Sequence, residues 1–134
     1  MKLITRDTDY AVRALCYMAK RRDEVVSVTQ LVKSLKIPQP FLRKILQTLN
    51  QAGILESQKG VGGGFKLARP SGDIYLFDLI RVFQGDFELN ECMFKKKLCP
   101  NRTTCSLRER LEVIEKYAVS QLEPVTIAEL VKER

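Results

Sequence analysis

The sequence predicts a mainly α-helical chain that carries one small β-hairpin. Apolar residues recur at helical spacing in six segments, and one glycine-rich segment lies between two short runs that are typical of strands. The chain has 134 residues, of which 45% are hydrophobic. This length and composition fit one compact unit that buries its own core, with room for a helical extension.

The first helix is predicted over residues 8–22. Its apolar stripe consists of Tyr10, Ala11, Ala14, Leu15, Met18 and Ala19. Thr8 or Asp7 is the expected N-cap, because a side-chain oxygen there accepts a hydrogen bond from an otherwise free amide of the first turn. Cys16 lies inside this helix, and we interpret its thiol as a small buried apolar group.

A pair of short helices is predicted between residues 27 and 51. Ser27 is the expected N-cap of the first one. Residues 37–40 (Ile-Pro-Gln-Pro) are the expected turn, because proline disfavours helical backbone in the residue before it and suits a helix start. The second helix is expected from Phe41 to about Gln51 and is ended by Gly53. Its inward face is predicted to contain Leu42, Ile45, Leu46 and Leu49.

Residues 54–67 are predicted to form the β-hairpin. The loop between its two strands is rich in glycine because a tight reversal requires positive φ angles. A phosphate-binding loop of a nucleotide enzyme is disfavoured, since the Gly-Lys-Ser/Thr ending and the helix that would follow are both missing.

Three further helices are predicted in the second half, over residues 76–84, 106–122 and 126–133. Gly85 ends the first of them and Pro124 breaks the second. The helix over residues 106–122 is long, and its apolar stripe has too few remaining partners in so small a chain. We therefore expect a dimer interface there. Its predicted residues are Leu107, Leu111, Ile114, Tyr117, Ala118 and Leu122.

The positive charge of the chain is concentrated in its first half. The formal net charge is +7, and residues 1–60 hold 11 Lys and Arg against 5 Asp and Glu, while residues 61–134 hold 12 against 11. Such a surplus favours nucleic acid as partner, because each neutralised phosphate releases a counterion. No apolar run is long enough to span a membrane, and the N-terminus lacks the apolar core of a signal peptide, so we expect a cytoplasmic protein without membrane contact.

The order helix, helix, turn, helix, hairpin predicts a winged helix-turn-helix domain over residues 1–75. In such a domain the second helix of the pair enters the major groove. Arg43 and Lys44 would reach guanine or phosphate, Gln39 and Gln47 would pair with adenine, and Lys59 at the wing tip would reach a minor groove or the backbone. The predicted DNA-binding residues are Gln39, Pro40, Arg43, Lys44, Gln47, Ser57, Lys59 and Gly60. The alternative is that these polar residues form a solvent-exposed face without a partner. The surplus of positive charge in residues 1–60 makes this alternative less favoured.

Three cysteines lie within one stretch of fourteen residues, at Cys92, Cys99 and Cys105, in a chain that has no histidine. Clustered thiols in a reducing compartment indicate metal or redox chemistry more often than structural disulfides. Three thiolates suggest an iron–sulfur cluster with one further ligand from elsewhere, or a thiol redox switch. A zinc site fits poorly because six and five residues separate the cysteines. An electron-carrier protein is a further alternative, but it would leave the wing and the basic first half unexplained.

We expect no catalysis, because the sequence shows no nucleophile–base pair.

Four features of the sequence resemble the IscR/NsrR-type (Rrf-two) winged-helix transcription regulators. They are the opening Met1–Arg13, the segment Ile37–Leu46, the wing glycines Gly60–Phe65 and the cysteine triplet. The ending Val125–Leu130 is similar as well, so the resemblance covers nearly the whole chain. The first cysteine spacing is one residue longer than is usual in the family.

The resemblance implies a homodimeric regulator that binds near-palindromic double-stranded DNA, with an affinity that depends on an iron–sulfur cluster. Residues 76–134 would then contain the cluster-binding loop and the dimerisation helices. Such regulators sense cluster supply, iron, nitric oxide or redox state, and both repression and activation are open. A redox switch on the same scaffold without a cluster is the alternative.

The resemblance also bears on the fourth ligand. The iron-supply sensors of the family use a histidine shortly after the third cysteine, and Arg108 stands at that place here. The nitric-oxide sensors use an acidic residue near the N-terminus of the other subunit, and the matching position is Asp9. The implied metal ligands are therefore Cys92, Cys99, Cys105 and Asp9 of the partner subunit, with Asp7, Glu91 and Glu109 as weaker candidates. This ligand set favours a 4Fe-4S cluster over 2Fe-2S.

Overall fold

A computed structural model describes residues 3–21, 23–87 and 106–132 of the chain. This part contains six α-helices and one antiparallel pair of strands. In chain order the elements are α1 (Arg6–Ala19), α2 (Val28–Leu35), α3 (Gln39–Gln51), β1 (Leu55–Gln58), β2 (Gly64–Leu67), α4 (Leu76–Gln84), α5 (Ser106–Leu122) and α6 (Ile127–Lys132). A single 3-10 turn, Ser71–Asp73, precedes α4. The mainly helical fold with a small hairpin is thus confirmed.

The core is built around α1, which contacts α3, α4 and α6. The buried side of α1 carries Ala11, Ala14, Leu15 and Met18, as its periodicity predicts. Opposite it lie the buried side chains of α3, together with Leu79 of α4 and Ile127 of α6.

The helix pair follows the sequence pattern. The Ser27 hydroxyl accepts a 3.1 Å hydrogen bond from the amide of Gln30 and so caps α2. Helix α2 ends at Lys36, whose φ of +57° is left-handed, and Pro38 occupies the N-cap position of α3. Helix α3 begins at Gln39 rather than at the predicted Phe41, because Pro40 has no amide to satisfy and fits the first turn. Gly53, with φ +79°, follows its C-cap, as expected.

The hairpin is joined to the helical body at its base. Strands β1 and β2 pair from Leu55 opposite Leu67 to Gln58 opposite Gly64. Phe65 also pairs with Val26, which precedes α2: the amide of Val26 donates to the Phe65 carbonyl (2.8 Å), and the amide of Phe65 donates to the Val26 carbonyl (2.9 Å). A Cβ on Gly64 would lie 2.3 Å from the Val26 carbonyl oxygen, so only glycine permits this approach.

Two backbone hydrogen bonds join the segment before α4 to the segment before α6. The Leu76 amide donates to the Val125 carbonyl (3.0 Å), and the Ile127 amide donates to the Ile74 carbonyl (2.9 Å). Helix α4 ends at Gly85 and α5 runs over residues 106–122, both as predicted. Helix α5 buries none of its residues within the described chain.

Helix α1 differs from the prediction at both ends. It begins at Arg6, two residues earlier than predicted, and ends at Ala19 rather than at residue 22. Its N-cap is Thr5, whose hydroxyl accepts a hydrogen bond from the Thr8 amide. The predicted caps Thr8 and Asp7 lie inside the first turn instead. Among the residues that the structure describes, no helix is long and apolar enough to cross a membrane.

Candidate nucleic-acid interface

The outward face of α3 presents polar and basic side chains to solvent. Gln39, Pro40, Arg43, Lys44 and Gln47 are all exposed, whereas Leu42, Ile45, Leu46 and Leu49 on the other face are buried. Within the described ranges neither Arg43 nor Lys44 forms an ion pair. The apolar face therefore fixes the helix against the core while two uncompensated cations and two amides face outward.

The hairpin places a third cation at its tip. Ser57, Lys59 and Gly60 are exposed. The loop reverses with Gly60 at φ +96°, and the Gly63 amide donates a 3.0 Å hydrogen bond to the Gly60 carbonyl. Lys59 has no ion-pair partner in the described part of the chain, so the tip has the charge and shape to contact a polyanion.

Helix α3 and the wing are held in a fixed relation. After α3, the Ile54 amide donates to the Leu49 carbonyl (3.0 Å), and β1 starts at the next residue. At the other side of the hairpin, Phe65 is bonded to Val26 as described above. The base of the wing is therefore joined to α3 on one side and to the segment before α2 on the other.

A further cation lies beside this surface, and sequence reasoning missed it. The Arg6 guanidinium carbon is 4.5 Å from the centroid of the Phe41 ring, on the first turn of α3. Arg6 also lies 3.8 Å from the carboxylate of Asp7, and both side chains are about half exposed. No local pattern signals the contact, because the two residues are far apart in the sequence.

Gln84, at the end of α4, holds the start of α1. Its Oε1 accepts hydrogen bonds from the Thr5 amide (3.0 Å) and the Thr8 hydroxyl (2.7 Å), and its Nε2 donates to the Leu3 carbonyl (3.3 Å). Thr8 is fully buried. The first turn of α1 is therefore positioned by the last residue of α4, only a few residues before the cysteine segment.

The predicted sensor residues are only partly within the described structure. Cys92, Cys99, Cys105 and Glu91 lie outside the described residues. Asp9 lies in the first turn of α1, where its Oδ2 is 3.0 Å from Arg13 Nε. Glu109 is exposed on α5. Within the described ranges, no group of three or more His, Cys, Asp or Glu side chains is arranged to hold a metal ion.

A polar groove of about 520 Å³ lies between α1 and α2. It is lined partly by Asp9, Cys16 and Tyr17. The Tyr17 hydroxyl accepts hydrogen bonds from Ser34 (3.3 Å) and Gln30 (3.1 Å), and these two donors lower the pKa of Tyr17, with the Arg21 charge adding to the effect. Cys16 packs beside the core but is only partly buried, so the expectation of a buried apolar group is met only in part.

The predicted dimer stripe on α5 is largely open to solvent. Leu107, Ile114 and Tyr117 are 65%, 54% and 67% exposed, whereas Leu111, Ala118 and Leu122 are partly covered. Val113, which the prediction did not include, is 67% exposed. This helix therefore offers an apolar surface that the described chain leaves uncovered.

Comparisons with known proteins agree with this arrangement. The model of the Rrf2 family, described as "Iron-dependent Transcriptional regulator", matches residues 4–133. The chain is 34% identical to protein aau3 of Rhizobium meliloti over 98% of its length and 86% of that protein, and 32% identical to the transcriptional regulator NsrR of Bacillus subtilis over 100% and 92%.

Two solved structures show the same fold. CymR, the global cysteine regulator of B. subtilis, superposes with a TM-score of 0.84 at 21% identity and covers 100% of this chain and 99% of its own. IscR of T. potens superposes with a TM-score of 0.77 at 24% identity and covers 99% and 88%. With a family match over almost its whole length, the chain belongs to the Rrf2 family of transcriptional regulators.

Proposed function

We propose that this protein is a homodimeric regulator that binds near-palindromic double-stranded DNA and whose affinity for its operator is controlled by an iron–sulfur cluster. The observation that carries the DNA-binding part is the outward face of α3, where Arg43 and Lys44 lie without ion-pair partners in the described chain, beside a wing tipped by Lys59. Such a regulator acts where chromosomal DNA lies, so the proposal keeps the cytoplasmic location expected from the sequence. It includes no catalysis.

Helix α3 is the element that would enter the major groove, which is wide enough to admit one α-helix. Arg43 and Lys44 would contact guanine or phosphate, while the amides of Gln39 and Gln47 match the donor and acceptor pattern of adenine. Pro40 would approach the groove wall. Ser57, Lys59 and Gly60 of the wing would contact the backbone or the adjacent minor groove.

The pairing of two subunits would use α5. Its exposed side chains Leu107, Ile114 and Tyr117 lie at helical spacing and form a stripe with Leu111, Ala118 and Leu122. Two symmetric copies of the stripe would cover one another. The paired subunits would then present two α3 helices to successive turns of DNA, which accounts for a near-palindromic operator.

The donor chemistry suits an iron–sulfur cluster, since thiolates are its usual protein ligands. Cys92, Cys99 and Cys105 would supply three of them. Asp9 of the partner subunit is the proposed fourth ligand, and a carboxylate is a harder and weaker ligand for this iron than thiolate or imidazole. Within its own subunit the Asp9 carboxylate is held by Arg13, so ligation would require this ion pair to open or to be shared.

A 4Fe-4S cluster is favoured, and 2Fe-2S is the alternative. When bound, the cluster would supply iron and sulfide that react with nitric oxide or oxidants, and its occupancy would depend on the supply of iron.

DNA binding is tested by selecting an operator from random duplexes and measuring the dissociation constant by fluorescence anisotropy at several salt concentrations. We expect a two-fold symmetric site and a steep loss of affinity with salt. Arg43→Ala should weaken binding to the selected site more than to random DNA, because it removes a base contact. Lys20→Gln, at the far end of α1, is the matched control. Equal binding to selected and random duplexes by the unaltered protein would contradict the proposal.

The cluster is tested by anaerobic reconstitution, followed by the absorption spectrum and by iron and sulfide analysis. Cys99→Ser should remove the cluster, whereas Cys16→Ser, the matched control elsewhere in the chain, should retain it. Asp9→Ala should shorten the lifetime of the cluster in air while Asp7→Ala leaves it unchanged. A colourless protein that binds only zinc would overturn this part of the proposal.

A thiol switch without a cluster is the second candidate function. The observation that favours it is the spacing of three cysteines within fourteen residues, which allows a disulfide between any two of them. Native mass spectrometry separates the candidates, since a cluster adds the mass of iron and sulfide whereas a disulfide removes two hydrogens. The same DNA-binding measurement, made on reduced and oxidised protein, then tells which state has the higher affinity.

A further inference from the structure

The contact between Arg6 and Phe41 joins the first turn of α1 to the first turn of α3. We propose that Arg6 is a further DNA contact, which binds a backbone phosphate at the edge of the face presented by α3. The inference rests on the proposed DNA binding and adds to it a contact that comes from a different helix.

The position of Phe41 places Arg6 beside the proposed DNA surface. Phe41 and Lys44 are three positions apart on α3, and such residues are neighbours on a helix surface. Phe41 is 42% exposed, so its ring lies at the flank of the helix rather than in the core. The guanidinium above this ring is thus adjacent to the row that contains Lys44 and Gln47.

The contact with Phe41 does not use the hydrogen-bonding capacity of Arg6. A guanidinium carries five N–H donors, and the ring offers no oxygen or nitrogen acceptor, so these donors can still bind an anion. The Arg6 side chain is 58% exposed, and its pairing with Asp7 at 3.8 Å is long and solvated. A solvated ion pair contributes little in water, so a phosphate can replace the carboxylate.

The backbone at Arg6 is held in place. Thr5 caps α1, and its amide is bonded to Gln84 Oε1 at 3.0 Å. The contact with the Phe41 ring further restricts the side chain. Less conformational entropy is therefore lost when a phosphate binds than would be lost by a free arginine on the surface.

The test is the salt dependence of DNA binding by the full-length protein, measured by fluorescence anisotropy on the selected operator and on a random duplex. Arg6→Gln should lower affinity for both duplexes and reduce the slope of log K against log salt by about 1.8, the value of one phosphate contact from each of the two subunits. Arg6→Lys should retain most of the slope, because it keeps the charge. Asp7→Asn should raise affinity, because it removes the competing carboxylate.

Lys20→Gln is the matched control, since it removes the same charge from the other end of α1, roughly 20 Å away at 1.5 Å per residue. It should leave the slope unchanged. If Lys20→Gln and Arg6→Gln lowered the slope equally, the loss of net charge alone would explain the effect and the inference would be overturned. It would also be overturned if the slope of Arg6→Gln were identical to that of the unaltered protein. If the unaltered protein shows no salt-dependent binding at all, the proposed function fails together with the inference. Circular dichroism of each variant verifies that the fold is retained.

Discussion

Gln84, the last residue of α4, accepts a 2.7 Å hydrogen bond from the hydroxyl of Thr8 in α1, although the two residues are 76 positions apart in the chain. The hydroxyl of Thr8 has one proton, so its contact with the Thr5 hydroxyl at 3.1 Å must be donated by Thr5. The side-chain amide of Gln84 thus completes a small hydrogen-bond network that the residues of α1 could not complete by themselves. This network fixes where α1 begins.

Replacement of Gln84 by leucine should destabilise the protein. The change removes three hydrogen bonds and leaves the buried Thr8 hydroxyl and the Thr5 amide with fewer partners, which we expect to cost about 1–3 kcal/mol. Urea unfolding followed by circular dichroism measures the loss. Gln51→Leu, on an exposed position at the end of α3, is the control and should change stability little. Equal unfolding midpoints for the two variants would contradict the role of this network.

Gly64→Ala should disrupt the base of the wing. The added Cβ would lie 2.3 Å from the Val26 carbonyl oxygen, so the bonded pair of Val26 and Phe65 must separate. Crowding of this kind typically costs about 1–3 kcal/mol. Gly72→Ala is a matched control, because its Cβ would meet nothing within 4 Å. Thermal unfolding of the two variants should differ clearly, and amide exchange at Phe65 should increase only in Gly64→Ala.

Tyr17 should ionise at a lower pH than an ordinary tyrosine. The pKa of Tyr17 is lowered mainly by the hydrogen bond from Ser34 and then by that from Gln30, because both donors stabilise the phenolate. The difference in tyrosinate absorbance between the unaltered protein and Tyr17→Phe isolates this group. Ser34→Ala should move its midpoint upward.

The sign of the linked stability change follows from the same shift. Because the folded pKa of Tyr17 lies below the unfolded one, its ionisation stabilises the fold above the unfolded pKa, and this contribution is lost as the pH falls through the lowered value. At neutral pH the contribution is absent. A Tyr17 midpoint that does not respond to Ser34→Ala would show that this hydrogen bond is not the cause.

Ile114→Glu should separate the proposed dimer. The side chain is 54% exposed on α5, so a carboxylate is tolerated in a single subunit but would be buried without a partner between two. Analytical ultracentrifugation should show a dimer for the unaltered protein and a concentration-dependent shift to monomer for the variant. Lys116→Glu is the control, because it changes the charge on the opposite side of the same helix and alters no residue of the apolar stripe. A variant that sediments like the unaltered protein would exclude this face as the interface.

The sequence is sufficient to predict those elements whose limits are set locally. Helix α4 and helix α5 have the predicted bounds, since Gly85 ends the one and an uninterrupted apolar stripe defines the other. The Ser27 cap was predicted for the same reason, and so was a turn before α3, although Gln39 and Pro40 of the predicted turn belong to the helix. Each of these features depends on residues within a few positions of one another.

Features set by distant partners were not predictable in this way. Thr8 was a reasonable cap by its type, but its hydroxyl is bonded to Gln84, and Thr5 takes the cap position. The cation–π contact between Arg6 and Phe41 likewise depends on how α1 and α3 pack. At the candidate DNA surface, composition and periodicity identified the exposed side chains of α3 and the wing. Composition and periodicity could not identify Arg6, the cation that α1 places beside this surface.

The two hydrogen bonds between Val26 and Phe65 have a consequence for how affinity can change. They tie the base of the wing to the helical body, so we expect each subunit to read its half of the operator in the same way whether or not a signal is present. Under the proposed pairing, we expect a signal to act on the distance or angle between the two subunits. An operator with one base pair inserted at its centre turns one half-site by about a tenth of a helical turn relative to the other. The signalling state of the protein should therefore be read out as a preference among half-site spacings, while the preferred bases within each half-site stay the same.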